Sequence, residues 1–99
     1  MRFDIEFSPE TIDHLRALTA RQRSRVLDRI DAHLEFEPLV ETRNRKLMRP
    51  NQLALWELRI GDLRVYYDVE LDPQPTVFIR AVGIKEGDRV RIGREVFRL

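Results

Sequence analysis

The chain has 99 residues and a formal net charge of +1, with 35% charged and 42% hydrophobic residues. This length supports one core, so we expect a single domain over residues 1–99. The near-zero net charge gives no global attraction to a charged partner, so any basic site must come from local clustering. The absence of cysteine excludes disulfides, thiolate zinc sites and a cysteine nucleophile.

Neither a secretory signal nor a membrane span is predicted. The first ten residues lack a basic-then-apolar pattern, and no apolar run approaches the roughly 18 residues that a membrane span requires. We therefore expect a cytoplasmic protein with no membrane partner.

The first third of the chain predicts a strand followed by two helices. Residues 2–7 alternate apolar and charged side chains, which is typical of a half-buried strand. The stretch Ser8-Pro9 predicts a helix start. The capping-box spacing of Thr19 and Gln22 begins a second helix, which Pro38 ends. The apolar stripe expected on the two helices consists of Ile12, Leu15, Leu18, Val26, Leu27, Ile30 and Leu34.

The remaining residues predict a loop and then antiparallel strands. Residues 37–52 form a polar connection of a length that is often functional. Strand patterns follow at 54–60, 63–69 and 76–84, and the tail alternates around Gly93 as in a small hairpin. The fold class is therefore α+β, with an N-terminal strand, an αα-hairpin and an antiparallel sheet that carries the helices on one face.

The segment WELRIGDLRVYYDVE, residues 56–70, reads as a hairpin with two different faces. A two-residue turn at Gly61-Asp62 places Arg59 directly opposite Arg64. Like charges opposite each other destabilise a sheet by a few tenths to about 1 kcal/mol, so the pair needs an explanation. The predicted core face carries Trp56, Leu58, Ile60, Leu63, Val65, Tyr67 and Val69, and the polar face carries Glu57, Arg59, Arg64, Tyr66 and Asp68.

The last long strand is divided in the same way. Its predicted core residues are Val77, Ile79 and Ala81, whereas Phe78, Arg80 and Val82 are expected on the polar face. The arginines on that face are either solvated charges balanced by nearby acids or a site for an anion. Two guanidiniums held by a rigid hairpin suit a phosphate, and Tyr66 would offer a base a stacking surface.

Other kinds of site lack support in the sequence. His14 and His33 lie on different helices and are interpreted as helix-face residues. The sequence has no Gly-rich phosphate loop and no nucleophile with a paired base. The many arginines argue against a metal bound by the neighbouring acids, so we expect neither a metal nor a cofactor.

The combination NRKLMRP, LWELRIGDLRVYYDVE and VFIRAVGIKEGDRV resembles the RelE/ParE family of toxins from bacterial type II toxin–antitoxin systems. The order of strand, two helices and strands also matches that family over nearly the whole chain. The resemblance implies a toxin that is silenced by an antitoxin protein wrapped around it. It also implies one of two activities, because one branch cleaves messenger RNA on the ribosome without a metal and the other inhibits DNA gyrase.

The resemblance implies a set of site residues. Arg64 matches the family's arginine after the turn, Arg59 a basic position before it, and Lys85 a basic residue after Val-Gly. These side chains would stabilise charge on the scissile phosphate. Glu57 replaces a second basic position and is either a general base or a neutralising partner of the arginines. Further RNA contacts are expected from Arg43, Arg45, Lys46, Arg49, Tyr66, Arg80 and Arg91, the last standing near the position of the nuclease branch's C-terminal tyrosine.

We therefore expect a metal-independent, ribosome-dependent mRNA endoribonuclease toxin. The open alternatives are a gyrase-binding toxin and an antitoxin-bound module without catalytic activity. Apolar residues on the face away from the helices indicate an interaction site for the antitoxin, namely Leu53, Leu55, Phe78 and Val82.

Overall fold

The computed structural model describes residues 1–99 as two helices and seven strands, which confirms the predicted α+β class. Neither helix has the length and apolar character needed to cross a bilayer. In chain order the elements are β1 (Asp4–Phe7), α1 (Pro9–Arg16), α2 (Ala20–Leu34), β2 (Arg45–Leu47), β3 (Trp56–Ile60), β4 (Leu63–Glu70), β5 (Thr76–Glu86), β6 (Arg89–Ile92) and β7 (Glu95–Phe97).

The seven strands form one sheet. Strands β2 to β7 follow each other in space in chain order, and every neighbouring pair is antiparallel. The second edge of β5 is shared, because β1 runs parallel to its first half and β6 pairs with its last residues. The helices pack against β3, β4 and β5 on one face of this sheet.

The second helix begins as the sequence predicts. The Thr19 hydroxyl accepts a hydrogen bond from the Gln22 N–H at 3.1 Å, and the Gln22 side chain accepts one from the Thr19 N–H at 2.9 Å. The predicted apolar stripe is wrong at Ile12 and Leu27, which are 52% and 38% exposed. The first helix instead turns Thr11 to the sheet, one position away in its 3.6-residue period.

A β-bulge in β5 reverses the predicted faces of Ala81 and Val82. Tyr66 pairs with Ala81 and Tyr67 with Ile79, so Arg80 is the extra residue. Beyond Arg80, each residue of β5 therefore points to the face opposite to the one that simple alternation predicts. Val82 therefore lies in the main core, whereas Ala81 lies on the other face of the sheet. The alternation of faces predicts side-chain direction only in an uninterrupted strand.

A second, smaller core covers part of the face that the sequence predicts to be polar. It consists of Ala54, Tyr66, Ala81, Val90 and Ile92. Strand β6 crosses β5 closely at Gly83, where an added Cβ would overlap the Arg91 carbonyl oxygen and lie 2.7 Å from Ile92 Cγ1. The β6–β7 hairpin, predicted around Gly93, thereby packs Val90, Ile92 and Phe97 into or against the second core.

Candidate functional site

A cleft of about 450 Å³ opens on the face of the sheet away from the helices. Four of its lining residues are cationic and two are acidic, which gives it a positive local charge within a nearly neutral chain. We call it the basic cleft. It is lined by Lys46, Arg49, Arg59 and Lys85, by Glu57 and Asp88, and by Leu47, Met48, Pro50, Asn51, Val90 and Leu99.

The short strand β2 supplies one side of the basic cleft. It lies within residues 37–52, which the sequence predicts as a loop, and it pairs Lys46 with Glu57. Asn44 fixes it against β3, since its carbonyl oxygen accepts from the Arg59 N–H at 2.8 Å and its side chain donates to the Arg59 carbonyl at 3.0 Å. Lys46 and Glu57 therefore face the cleft together.

The opposite side of the cleft comes from the end of β5. The Lys85 N–H donates to the Asp62 carbonyl oxygen at 2.7 Å, which holds Lys85 beside the turn of the β3–β4 hairpin. The bulge at Arg80 contributes to this placement, because it sets which residues beyond it face the cleft.

Asn51 shapes the cleft wall and was missed by the sequence reasoning. Its side-chain oxygen accepts from the N–H groups of Leu53 and Ala54 at 2.7 and 3.1 Å. Its side-chain nitrogen donates to the Arg49 carbonyl at 2.7 Å. The dipeptide Pro50-Asn51 is a turn signal that could have identified this residue.

Glu57 lies between the two opposed arginines. Its Oε1 accepts a hydrogen bond from Arg59 Nε at 2.7 Å, and its Oε2 is 4.0 Å from Arg64 Nε. Only 11% of the Glu57 side chain is exposed. A carboxylate held between two guanidiniums reduces their mutual repulsion, which explains how the sheet accommodates the pair.

Arg64 lies beneath the basic cleft and does not line it. The residue is buried, and its Nη1 donates to the carbonyl oxygens of Gly61 and Leu63. These hydrogen bonds hold the Arg64 guanidinium against the backbone of the hairpin turn. Arg64, one of the three cations that the resemblance implies, therefore supports Glu57 electrostatically, while the other two, Arg59 and Lys85, line the cleft together with Lys46 and Arg49.

Two residues predicted to contact RNA are buried instead. Tyr66 is fully buried in the second core and cannot stack on a base. Arg45 pairs with Leu58, so it faces the helices, and its guanidinium donates to the carbonyls of Val40 at 2.8 Å and His33 at 2.9 Å. Both predictions fail because they assumed an open polar face and an unpaired loop.

Three further predicted contacts lie away from the basic cleft. Arg80 donates to Asp68 at 3.1 Å and stacks over the Phe78 ring. Arg91 donates twice to one Glu86 oxygen, at 3.0 and 2.9 Å. Arg43 is exposed just before β2 and does not line the cleft.

A larger depression of about 640 Å³ lies between α1 and the β6–β7 turn. Its charged residues are of mixed sign, with Glu10, Asp13 and Glu95 against Arg16 and Arg94, so it suits an anion less well. No group of three or more His, Asp or Glu side chains is arranged to hold a metal ion. The basic cleft is therefore the candidate site for a phosphate.

A comparison with solved structures identifies a chain of similar fold. The chain superposes with a TM-score of 0.70 and 24% sequence identity on a chain in the crystal structure of the toxin–antitoxin complex RelBE2 from Mycobacterium tuberculosis. The match covers 86% of this chain and 100% of that one. No protein-family model matches the sequence, and a search of curated proteins gives no significant match. The comparison confirms the RelE-like fold predicted from the sequence.

Proposed function

We propose that this protein is the toxin of a type II toxin–antitoxin system and that it cleaves messenger RNA on the ribosome without a metal. The observation that carries this proposal is the basic cleft, in which Arg59 and Lys85 flank the partly shielded carboxylate of Glu57. The fold shared with a chain of the RelBE2 complex supports the toxin assignment.

The cleft has the groups that metal-independent RNA cleavage needs. Glu57 would take the proton of the ribose 2′-hydroxyl, whose oxygen forms a new bond to phosphorus as the bond to the 5′ oxygen breaks. Arg59 and Lys85 would stabilise the negative charge that grows on the phosphate oxygens. The leaving 5′ oxygen would receive its proton from solvent. Arg64, buried beneath the cleft, would place a positive charge near the Glu57 carboxylate.

One observation favours the alternative of a gyrase-binding toxin. No aromatic side chain lines the basic cleft, because Tyr66 is buried and Arg91 stands near the place of the family's tyrosine. A cleft without a stacking surface holds a nucleotide base less firmly. Gyrase binding is therefore the second candidate, and the same experiment distinguishes the two.

The test is induction of the protein in bacterial cells, followed by primer extension on several messages. We expect new 5′ ends in phase with codons for the wild type, and their loss in Arg59→Ala, Lys85→Ala and Glu57→Gln. Arg91→Ala is the matched control, since this arginine is paired with Glu86 outside the cleft. Growth arrest with intact messages and an induced DNA-damage response would instead establish the gyrase alternative.

We also propose an antitoxin that covers exposed apolar side chains beside the cleft. Leu47 and Leu55 are 55% and 59% exposed, and Leu47 lines the cleft itself. Val82, predicted to belong to this surface, is buried in the main core. Co-expression with the neighbouring open reading frame should yield a stable complex, and Leu47→Ser with Leu55→Ser should weaken it. Elution of the wild-type chain alone would contradict this partner.

A further inference from the structure

The hydroxyl of Tyr66 lacks a hydrogen bond in the interior of the protein. Tyr66 is fully buried among protein atoms, and its Oη is the one buried side-chain polar atom without a hydrogen-bond partner. A buried hydroxyl without a partner is unfavourable, and such atoms are rare in folded proteins. This atom therefore calls for an explanation.

The neighbour of this hydroxyl is the carboxylate of Glu57. The two residues are directly opposite each other in the β3–β4 register and point to the same face. Burial, then the negative charge of Glu57 and the close approach of its carboxylate to the hydroxyl, raise the pKa of Tyr66. The Tyr66 hydroxyl therefore keeps its proton and can donate a hydrogen bond. It lies beside the Glu57 carboxylate, an acceptor, but the two groups do not have the geometry of a formed hydrogen bond.

Glu57 is held by a side chain that a ligand would also bind. Its hydrogen bond comes from Arg59 Nε, and 48% of the Arg59 side chain is exposed at the cleft. Arg64 Nε, at 4.0 Å from Oε2, is too far for a hydrogen bond. A phosphate in the cleft would compete for the Arg59 guanidinium and leave the Glu57 carboxylate without its donor.

We propose that Tyr66 is a positioning residue, whose buried hydroxyl donates a hydrogen bond to Glu57 when a phosphate draws Arg59 away. The exchange keeps the carboxylate oriented toward the cleft while Arg59 binds the ligand. The other charged groups around Glu57 are Lys46 from β2, Arg64 from β4, and Lys85 and Asp88 at the far side of the cleft. This inference rests on the phosphate site of the proposed function and adds a residue to it.

The first test measures binding of inorganic phosphate by calorimetry in a double-mutant cycle. Tyr66→Phe should weaken phosphate binding about five- to tenfold, the effect of one hydrogen bond, although the hydroxyl does not reach the cleft. In a Glu57→Gln background, Tyr66→Phe should have little effect on phosphate binding, because the carboxylate that accepts from the Tyr66 hydroxyl is absent. Tyr67→Phe is the matched control, since that hydroxyl binds the Pro38 carbonyl on the opposite face.

The second test leaves Tyr66 in place and therefore does not depend on how Tyr66→Phe folds. The ¹³Cζ resonance of Tyr66 reports hydrogen bonding of its hydroxyl. Addition of inorganic phosphate should shift this resonance in the wild type and leave it unchanged in Glu57→Gln. A role in packing alone would produce neither the shift nor its dependence on Glu57.

The outcomes separate this inference from the proposed function. Equal phosphate binding by wild type and Tyr66→Phe, or a resonance that phosphate does not move, overturns the inference and leaves the cleft intact as a site. Failure of the wild type to bind phosphate overturns both. Coupling of Tyr66 to Glu57 in a protein that leaves messages intact supports the inference and contradicts the ribonuclease assignment alone.

Discussion

Arg59 and Arg64 are directly opposed in the β3–β4 register, yet their guanidiniums occupy different environments. The side chain of Arg59 is 48% exposed at the basic cleft, whereas that of Arg64 is 10% exposed beneath it. Glu57 separates them and accepts its hydrogen bond from Arg59. The pair is tolerated because the carboxylate offsets one charge and backbone carbonyls bind the other.

The two arginines should differ in their effect on stability. Arg64→Ala should lower the free energy of unfolding by about 2 kcal/mol, because two carbonyls lose a charged donor in a buried site. Arg59→Ala should change it by less than about 1 kcal/mol, since its ion pair is half exposed. Urea denaturation of the three proteins at neutral pH checks this, and equal losses in both variants would contradict it.

The sequence predicted the hairpin well because its physical constraints are local. The Gly61-Asp62 turn fixes the register, and Arg59 opposite Arg64 appears in the structure as expected. Alternation then assigns the two faces of β3 and β4, and the predicted core residues from Trp56 to Val69 lie in or against the main core. The capping box at Thr19 is equally local.

The parts that the sequence did not predict depend on distant contacts. The bulge at Arg80 and the passage of β6 over Gly83 create the second core, which buries Tyr66. Pairing of β2 with β3 turns Arg45 toward the helices and Lys46 toward the cleft. Local patterns do not contain these pairings, so the residues were predicted as basic or aromatic surface without their directions.

The adjacent tyrosines should respond oppositely to loss of their hydroxyls. Tyr67 Oη donates to the Pro38 carbonyl at 2.7 Å in a buried site, so Tyr67→Phe should destabilise the protein by about 1–2 kcal/mol. Tyr66→Phe removes a hydroxyl without a partner and should be neutral or slightly stabilising, within about 0.5 kcal/mol. Thermal unfolding of both variants measures this. A larger loss for Tyr66→Phe than for Tyr67→Phe would show that the Tyr66 hydroxyl is bonded in the unliganded protein.

Gly83 should be required for the β6–β7 hairpin to cover the sheet. An alanine Cβ would overlap the Arg91 carbonyl, which is backbone and cannot move aside, so Gly83→Ala should cost more than about 2 kcal/mol. Gly87→Ala is the control, because that Cβ meets nothing within 4 Å and pays only the strain of a φ of +66°, about 1 kcal/mol. Chemical denaturation compares the two, and a milder effect at Gly83 would contradict the close crossing.

Stability should fall below neutral pH through His14. Its Nδ1 accepts a hydrogen bond from the Val82 N–H at 3.3 Å, and burial lowers the pKa of this imidazole against the opposing effect of Glu10, Asp13 and Glu95. The unfolded chain therefore binds the proton more tightly, so stability is full above about pH 6.5 and declines as the pH falls toward the lower folded-state value.

His14→Gln should flatten this decline. Burial also lowers the pKa of His33, and the positive charges of Arg45 and Arg29 act in the same direction. His33→Gln should therefore remove an additional part of the loss of stability at low pH. The measurement is the urea midpoint of wild type and both variants across the mildly acidic range. An unchanged slope in His14→Gln would contradict a role for the Val82 hydrogen bond.

If the protein binds RNA as proposed, salt dependence should identify which cations contact it. Arg49 lines the basic cleft and has no acidic partner, whereas Arg91 lies outside it and is bound to Glu86. Each phosphate contact with single-stranded RNA contributes about 0.7 to the slope of log affinity against log salt concentration. Arg49→Ala should therefore reduce the slope by about that amount, and Arg91→Ala should leave it nearly unchanged. Fluorescence anisotropy with a short labelled RNA over a series of KCl concentrations measures both slopes. If Arg91→Ala reduces the slope as much as Arg49→Ala does, the RNA path does not follow the basic cleft.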